Sequence, residues 1–285
     1  MKFVSFEYRA EALWGALTGD GVVRLDTAHR TLRDFIASPD FARRAALLAR
    51  ASTPLALSEI RYLPVIPQPE KIVLVVRNYM DHHQEVLAAG MQRELAAFPP
   101  IFMRYARSQV AHEEPIIRPR VSEQLDWEGE LAVIIGKGGR HIDEADAMSH
   151  VAGYSVYNDA SIREYQFHAK QIAAGKNFDG TGAFGPVLVT PDEVGDPDNL
   201  NLETRLNGAI MQSSNTRHMI FKIPCLINYA SRIFELTPGD VIVTGTPAGV
   251  GFMRKPPVFM KDGDLVEVEI EKVGLLRNRI RDEAH

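Results

Sequence analysis

Asp126-Trp127-Glu128-Gly129-Glu130-Leu131-Ala132-Val133-Ile134-Ile135 places two glutamates at the entrance to a run that is apolar on both faces. In a β-strand, alternate residues share a face. Glu128 and Glu130 then lie with Ala132 and Ile134, while Trp127, Leu131, Val133 and Ile135 lie opposite. Beyond Glu130 neither face is polar, which predicts a strand entering the core. Burying two neighbouring carboxylates is expensive even after relaxation, and like charges so close raise each other's pKa. A divalent cation removes both costs. Hard oxygen donors suit Mg²⁺, Mn²⁺ or Ca²⁺ better than a thiolate-loving metal. The rival reading is an exposed first half of the strand with solvated glutamates.

Working outward, Val156-Tyr157-Asn158-Asp159 ends the next strand with a further carboxylate. Three oxygen ligands plus water would leave open positions, as a catalytic metal requires. The alternative assigns Asp159 to the entry of a helix over 161–174, whose capping box would be Ser161-Ile162-Arg163-Glu164. Further strands are expected at 71–76, 99–103, 186–190 and 240–244, with a closing hairpin of 264–271 and 275–280 around Gly274. Helices are expected at 81–95 and at 219–234, the latter kinked or starting late because of Pro224. Strands outnumber helices and do not alternate with them regularly. That predicts a β-rich α+β fold and argues against a doubly wound sheet.

Residues 1–66 read as a small N-terminal α/β unit. Asp20-Gly21 marks a hairpin turn within 16–25, and a helical pattern covers 31–51 with a break at Ser38-Pro39-Asp40. Leu63-Pro64-Val65-Ile66-Pro67-Gln68-Pro69 reads as an extended linker. The catalytic unit is then expected over 67–285.

Bulk composition narrows the class. Of 285 residues, 45% are hydrophobic and 24% charged, enough for a sizeable core. The net charge of -5, from 32 basic and 37 acidic side chains, gives no reason to expect nucleic acid or an anionic membrane as partner. No run approaches the roughly 18 apolar residues of a membrane helix, and the first residues lack the apolar core of a signal peptide. The single cysteine, Cys225, cannot form an internal disulfide and reads as a buried structural thiol. A soluble cytoplasmic protein acting on a small molecule is the expectation.

Two further clusters bear on chemistry. In Arg77-Asn78-Tyr79-Met80-Asp81-His82-His83-Gln84-Glu85, His82 and Glu85 share a helix face. A carboxylate beside an imidazole fixes its orientation and raises its basicity; an exposed first turn is the alternative, with Asn78 or Asp81 as cap. The loops 174–182 and 244–251 are glycine-rich, but neither fits a phosphate loop or a dinucleotide fingerprint. Both can present backbone N–H groups to an anion, and Lys176 can add a positive charge. The chain has no G-x-S-x-G, no H-E-x-x-H and no cysteine cluster, which disfavours a serine hydrolase or a zinc enzyme.

Taken in order, Arg77-Asn78-Tyr79 with His82 and Glu85, Glu128-Gly129-Glu130-Leu131-Ala132-Val133, Asn158-Asp159, Arg163, Gln166, Lys176 and Thr244-Gly245-Thr246-Pro247-Ala248-Gly249-Val250-Gly251 resemble the fumarylacetoacetate hydrolase family. The resemblance implies a mixed β-sandwich roll as catalytic domain and a homodimer. It implies one Mg²⁺ or Mn²⁺ per subunit on Glu128, Glu130 and Asp159, and a substrate whose 2-oxo acid or enol chelates that ion. It further implies water activation by His82 and Glu85, charge stabilisation by Lys176, and substrate contacts from Arg163, Gln166 and Thr246. The leading expectation is hydrolysis of a carbon–carbon bond in an acylpyruvate-like 1,3-diketo acid, as in the catabolism of aromatic compounds. An oxaloacetate-type decarboxylase, an oxo-acid isomerase or tautomerase, and a non-catalytic protein with a structural metal are the alternatives. Val76, Ser161-Ile162 and Arg104 depart from common family residues; they leave the metal ligands in place and bear on the substrate.

Overall fold

Gly129–Ile135, buried at every residue, is an interior strand of a large mixed sheet. The computed structural model describes residues 1–25, 28–38, 40–49, 53–90 and 94–284. This strand pairs antiparallel with Val151–Asp159 on one side and Val241–Val243 on the other. The strand order is Gly21–Arg24, Glu11–Thr18, Lys2–Tyr8, Gly182–Val189, Val151–Asp159, Gly129–Ile135, Val241–Val243, Ile72–Val75, Ile101–Arg104. Along this path, Val241–Val243 beside Ile72–Val75 is the parallel pair. The sheet is therefore of the strand-rich α+β kind, as the irregular alternation of elements predicts.

A five-stranded sheet packs on one face of the first. Its order is Ala209–Asn215, Asn201–Leu206, Leu265–Ile270, Gly274–Asp282, Ile116–Arg118. The alternation along 127–135 decides which side chains meet it. Trp127, Leu131, Val133 and Ile135 join Leu202, Val268 and Leu276 in one apolar cluster. Ala132 and Ile134 join Leu74, Val243 and Phe184 in another. Glu130 thus shares its face with Ala132 and Ile134, away from the second sheet.

The N-terminal residues form two hairpins and the helices Leu32–Ile36 and Phe41–Ala49. Lys2–Tyr8 hydrogen-bonds to Gly182–Val189, so this segment extends the main sheet. Pro39 and Ala51, within the helical pattern read over 31–51, lie outside the described residues. In the proline-rich linker, Val65 and Ile66 are buried in the apolar cluster that also holds Phe3 and Phe35.

Several local expectations need correction. The helix expected over 81–95 is Met80–Ala88, with 91–93 outside the described residues. Neither Asn78 nor Asp81 caps it; the Asn78 amide instead donates to Phe221 O and Thr244 O. The long helix over 161–174 does not form. Ser161–Ile162 is a short strand against Leu125–Asp126, followed by Arg163–Phe167 and, later, Ala173–Lys176. The Ser161 hydroxyl donates to Asp159 O, so there is no capping box. The helix with Pro224 starts late, at Ile223, where a missing N–H costs nothing. Cys225 is half-buried rather than fully enclosed. Among the described residues no helix is long and apolar enough to cross a membrane.

Gly129 is set by the packing of the two sheets. A Cβ there would meet Thr204 Oγ1 at 2.3 Å and Val268 Cγ1 at 2.9 Å, both on the second sheet. Only glycine lets the second sheet pack this closely on the strand between the two glutamates, which point to the other face. Gly129→Ala should therefore destabilise the fold by about 1–3 kcal/mol, the usual cost of overpacking, read as a lower midpoint in urea unfolding. An unchanged midpoint would contradict this packing account.

Candidate metal centre

Glu128, Glu130 and Asp159 come from two adjacent strand segments. Gly129 pairs with Asn158 and Glu130 with Tyr157 across them, and Asp159 N donates to Glu128 O at 2.9 Å. One carboxylate oxygen from each residue lies within 4.8 Å of the others, and all three residues are buried. The solvated-glutamate reading does not hold.

Three cations enclose this acidic group. Lys176 ends the short helix Ala173–Lys176 and is 2% exposed. Its Nζ donates to Glu128 Oε2 at 2.7 Å and to Asp159 Oδ2 at 2.6 Å. Arg163 Nη1 lies 2.6 Å from Glu128 Oε1, and its Nε donates to Asp126 Oδ2 at 2.8 Å. Arg104 Nε donates to Asp159 Oδ1. Counting Asp126, four buried carboxylates face three buried cations, which leaves one negative charge in the cluster. With all four ionised, that charge falls on Glu130. Among the described ion pairs it has no basic partner, and its Oε2 accepts a bond from Gly245 N–H at 2.6 Å.

The acidities follow this division. Burial pushes the Glu128 carboxyl up, but Lys176 and Arg163 outweigh it and hold the group down at about 2. Burial, with Asp159 and Glu128 alongside, raises Glu130 well above the usual glutamate range. Burial also raises Asp159, against the pull of Arg104 and Lys176. Three hard oxygen donors with a charge left uncompensated fit a divalent cation; the triad can hold a metal.

The helix Met80–Ala88 carries the second group. His82 Nδ1 and Glu85 Oε2 are 2.8 Å apart, both partly buried. Glu85 is fixed from behind, its Oε1 accepting Gly249 N–H at 3.0 Å. An ionised carboxylate only accepts, so Nδ1 carries the proton and Nε2 keeps its lone pair.

Of the other residues singled out in the sequence, Arg163 lies against the triad, and its Nη1 also donates to Gln166 Oε1 at 2.7 Å. The Thr246 hydroxyl is engaged with protein, donating to Gly129 O at 3.0 Å and accepting from Gln212 Nε2 at 2.9 Å. Two residues that sequence reading gave no role, Asp126 and Gln212, prove structural to the site, as does Arg104, expected to bear on the substrate and found instead on Asp159. Asp126 accepts from Trp127, Gly251 and Phe252 N–H groups as well as from Arg163. Period-two alternation, extended backward from Glu128, would have put it on the same face. Arg104 ends an apolar strand, itself a signal of a buried charge. Gln212 Oε1 accepts from Gly129 N–H and Thr204, and nothing in the sequence marks it.

A family model described as fumarylacetoacetate (FAA) hydrolase C-terminal matches residues 71–281. A human mitochondrial oxaloacetate tautomerase is 43% identical over 272 residues, 92% of this chain and 84% of that protein. Among solved structures, a fumarylacetoacetate hydrolase from Exiguobacterium antarcticum matches with a TM-score of 0.84 at 35% identity, covering 99% of this chain and 100% of that one. A maleylpyruvate hydrolase from Sphingobium sp. SYK-6, in complex with manganese(II) and pyruvate, matches with a TM-score of 0.82 at 27% identity over 100% of both chains.

The raised Glu130 has a measurable consequence. Without metal, the folded state keeps this proton to higher pH than the unfolded chain does. The stability it confers is present below the ordinary glutamate pKa and is lost as pH rises through the raised value. A divalent ion bound to the carboxylate replaces the proton. The gain in Tm on adding Mn²⁺ should therefore grow with pH across that window, and Glu130→Gln should reduce the growth to the part that the raised Asp159 supplies. Differential scanning fluorimetry checks both; the same pH trend in the Gln variant would contradict the assignment.

Proposed function

Because the chain belongs to the fumarylacetoacetate hydrolase family, we propose that it catalyses keto–enol tautomerisation of a small 2-oxo acid of the oxaloacetate class. The ion would be Mg²⁺ or Mn²⁺, one per chain, on Glu128, Glu130 and Asp159. The observation that carries the reading is the oriented His82–Glu85 pair, tied to a buried carboxylate triad by one loop whose Gly249 N–H reaches Glu85 and whose Gly245 N–H reaches Glu130. The likeness to oxaloacetate tautomerases over most of the chain supports the choice of reaction.

When bound, the ion supplies Lewis-acid polarisation of the 2-oxo group, which acidifies the adjacent C–H. The protein's own groups do the rest. Tautomerisation moves one proton between the carbon next to the oxo group and the oxygen, with no net change in charge or composition. His82 Nε2 holds the lone pair that takes this proton, and the imidazolium returns it. Glu85, braced by Gly249, keeps the ring in that tautomer and stabilises it when charged. Lys176 offsets negative charge that develops on the oxygen. Arg163, anchored on Asp126 and Gln166, holds Glu128 in position.

A second reading is hydrolysis of an acylpyruvate-like 1,3-diketo acid. It is favoured by the same oriented imidazole, which can equally take a proton from water, and by the likeness to two solved hydrolases. There, hydroxide adds to the distal carbonyl, the carbon–carbon bond breaks, and the carbanion is protonated, giving a carboxylic acid and a 2-oxo acid. In either reading the active form is a homodimer.

The test follows the enol absorbance of oxaloacetate with purified protein and Mg²⁺ or Mn²⁺. Enol decay should exceed the spontaneous rate, and His82→Ala should lower kcat by about 10²–10⁴-fold, the usual worth of a positioned acid–base group. No acceleration with either ion would sink the tautomerase reading. Release of pyruvate from an acylpyruvate panel in that case would establish the hydrolase reading instead.

A further inference from the structure

Arg104 lies at the end of the strand Ile101–Arg104, and its side chain is fully buried. All three nitrogens of its guanidinium are engaged. Nε donates to Asp159 Oδ1, Nη2 to Ala160 O at 2.6 Å, and Nη1 to Thr181 Oγ1 at 3.0 Å. The planar fork is thus held on three sides. Space for it depends on Gly182, where a Cβ would stand 2.9 Å from Nη1. The two oxygens of Asp159 are divided as a result. Oδ1 faces Arg104, while Oδ2 faces Lys176 Nζ, which also holds Glu128 Oε2. Oδ2 is therefore the oxygen turned towards the triad.

We propose that Arg104 is a positioning residue that restricts Asp159 to a single oxygen in the metal centre, and that this restriction sets the site's preference for small octahedral ions over Ca²⁺. The proposal rests on the metal site described above. Its chemical basis is a difference in coordination. Mg²⁺ demands near-ideal octahedral geometry, whereas Ca²⁺ takes more ligands in flexible arrangements and readily accepts a bidentate carboxylate. A guanidinium fixed on Oδ1 keeps Asp159 from turning both oxygens to the ion. Removing it frees the carboxylate to swing and offer both. It also removes a positive charge near the ion, which strengthens the binding of every divalent cation alike. The ratio of Ca²⁺ to Mg²⁺ affinity cancels that common factor and isolates the geometric effect.

The experiment measures dissociation constants for Mg²⁺, Mn²⁺ and Ca²⁺ by calorimetry on the full chain, for wild type, Arg104→Gln, Arg104→Lys and Thr181→Val. Partners of metal ligands typically carry roughly tenfold to a hundredfold in metal affinity. On that scale Arg104→Gln should shift the Ca²⁺/Mg²⁺ ratio towards Ca²⁺ by about tenfold or more. Arg104→Lys keeps the charge without the fork and should shift the ratio in the same direction by less. A charge or packing role alone would move all three constants together and leave the ratio unchanged, and that result overturns the proposal. If Arg104→Gln does not fold, Thr181→Val, which removes one brace of the fork, carries the same test in the same direction. If wild type binds none of the three ions, the metal reading falls and this proposal with it. If wild type binds them and the ratio stays fixed in the variants, this proposal alone falls.

Discussion

Four carboxylates, Asp126, Glu128, Glu130 and Asp159, lie buried with three cations, Arg104, Arg163 and Lys176. Carboxylates left unpaired in such a place cost several kcal/mol each, and three of the four are matched to the cations. Asp159 meets two cations, Glu128 two, and Asp126 one cation and three backbone N–H groups. Glu130 is the residue left over, with one backbone N–H as its hydrogen-bond partner. With Glu130 ionised, the division leaves a buried site with one net negative charge. A site of this charge and donor set can hold a divalent cation.

The segment from Thr244 to Phe252 ties the separate parts of this centre together. Its backbone N–H groups reach Glu130 from Gly245, Glu85 from Gly249, and Asp126 from Gly251 and Phe252. One loop thus holds a carboxylate of the candidate metal site, the partner of His82, and the anchor of Arg163. Its shape requires glycine at Gly249, where φ is 98° and a Cβ would come within 2.2 Å of Met211 O. The loop resembles an anion-binding loop in the sequence for good reason, but the anions it binds are the protein's own side chains. Preorganisation of this kind is what lets a weak base act at a fixed place without waiting for the chain to rearrange.

Much of this was legible in the sequence. Period-two alternation along 127–135 correctly divided the side chains between two apolar clusters and set Glu130 among buried residues. The hairpin within 16–25, whose turn is Gly19-Asp20 rather than Asp20-Gly21, the late start of the helix at Pro224 and the closing hairpin around Gly274 also follow from local chemistry. What failed were signals that tertiary contacts override. Ser161 has the spacing of a capping box, yet its hydroxyl serves Asp159 O and its backbone joins a strand. Asn78 reads as a helix cap and instead fastens Thr244 and Phe221, far away in sequence. Gln212 acts through Gly129 and Thr204, partners that no local pattern announces, because its strand meets Gly129 only when the two sheets close.

The central claim is that the charge left on Glu130 is there for a metal ion. Anomalous diffraction from crystals grown with Mn²⁺ tests it most directly. The account predicts one strong anomalous peak bounded by carboxylate oxygens of Glu128, Glu130 and Asp159. An absence of density there at saturating Mn²⁺, or a peak at some other carboxylate cluster, would contradict it.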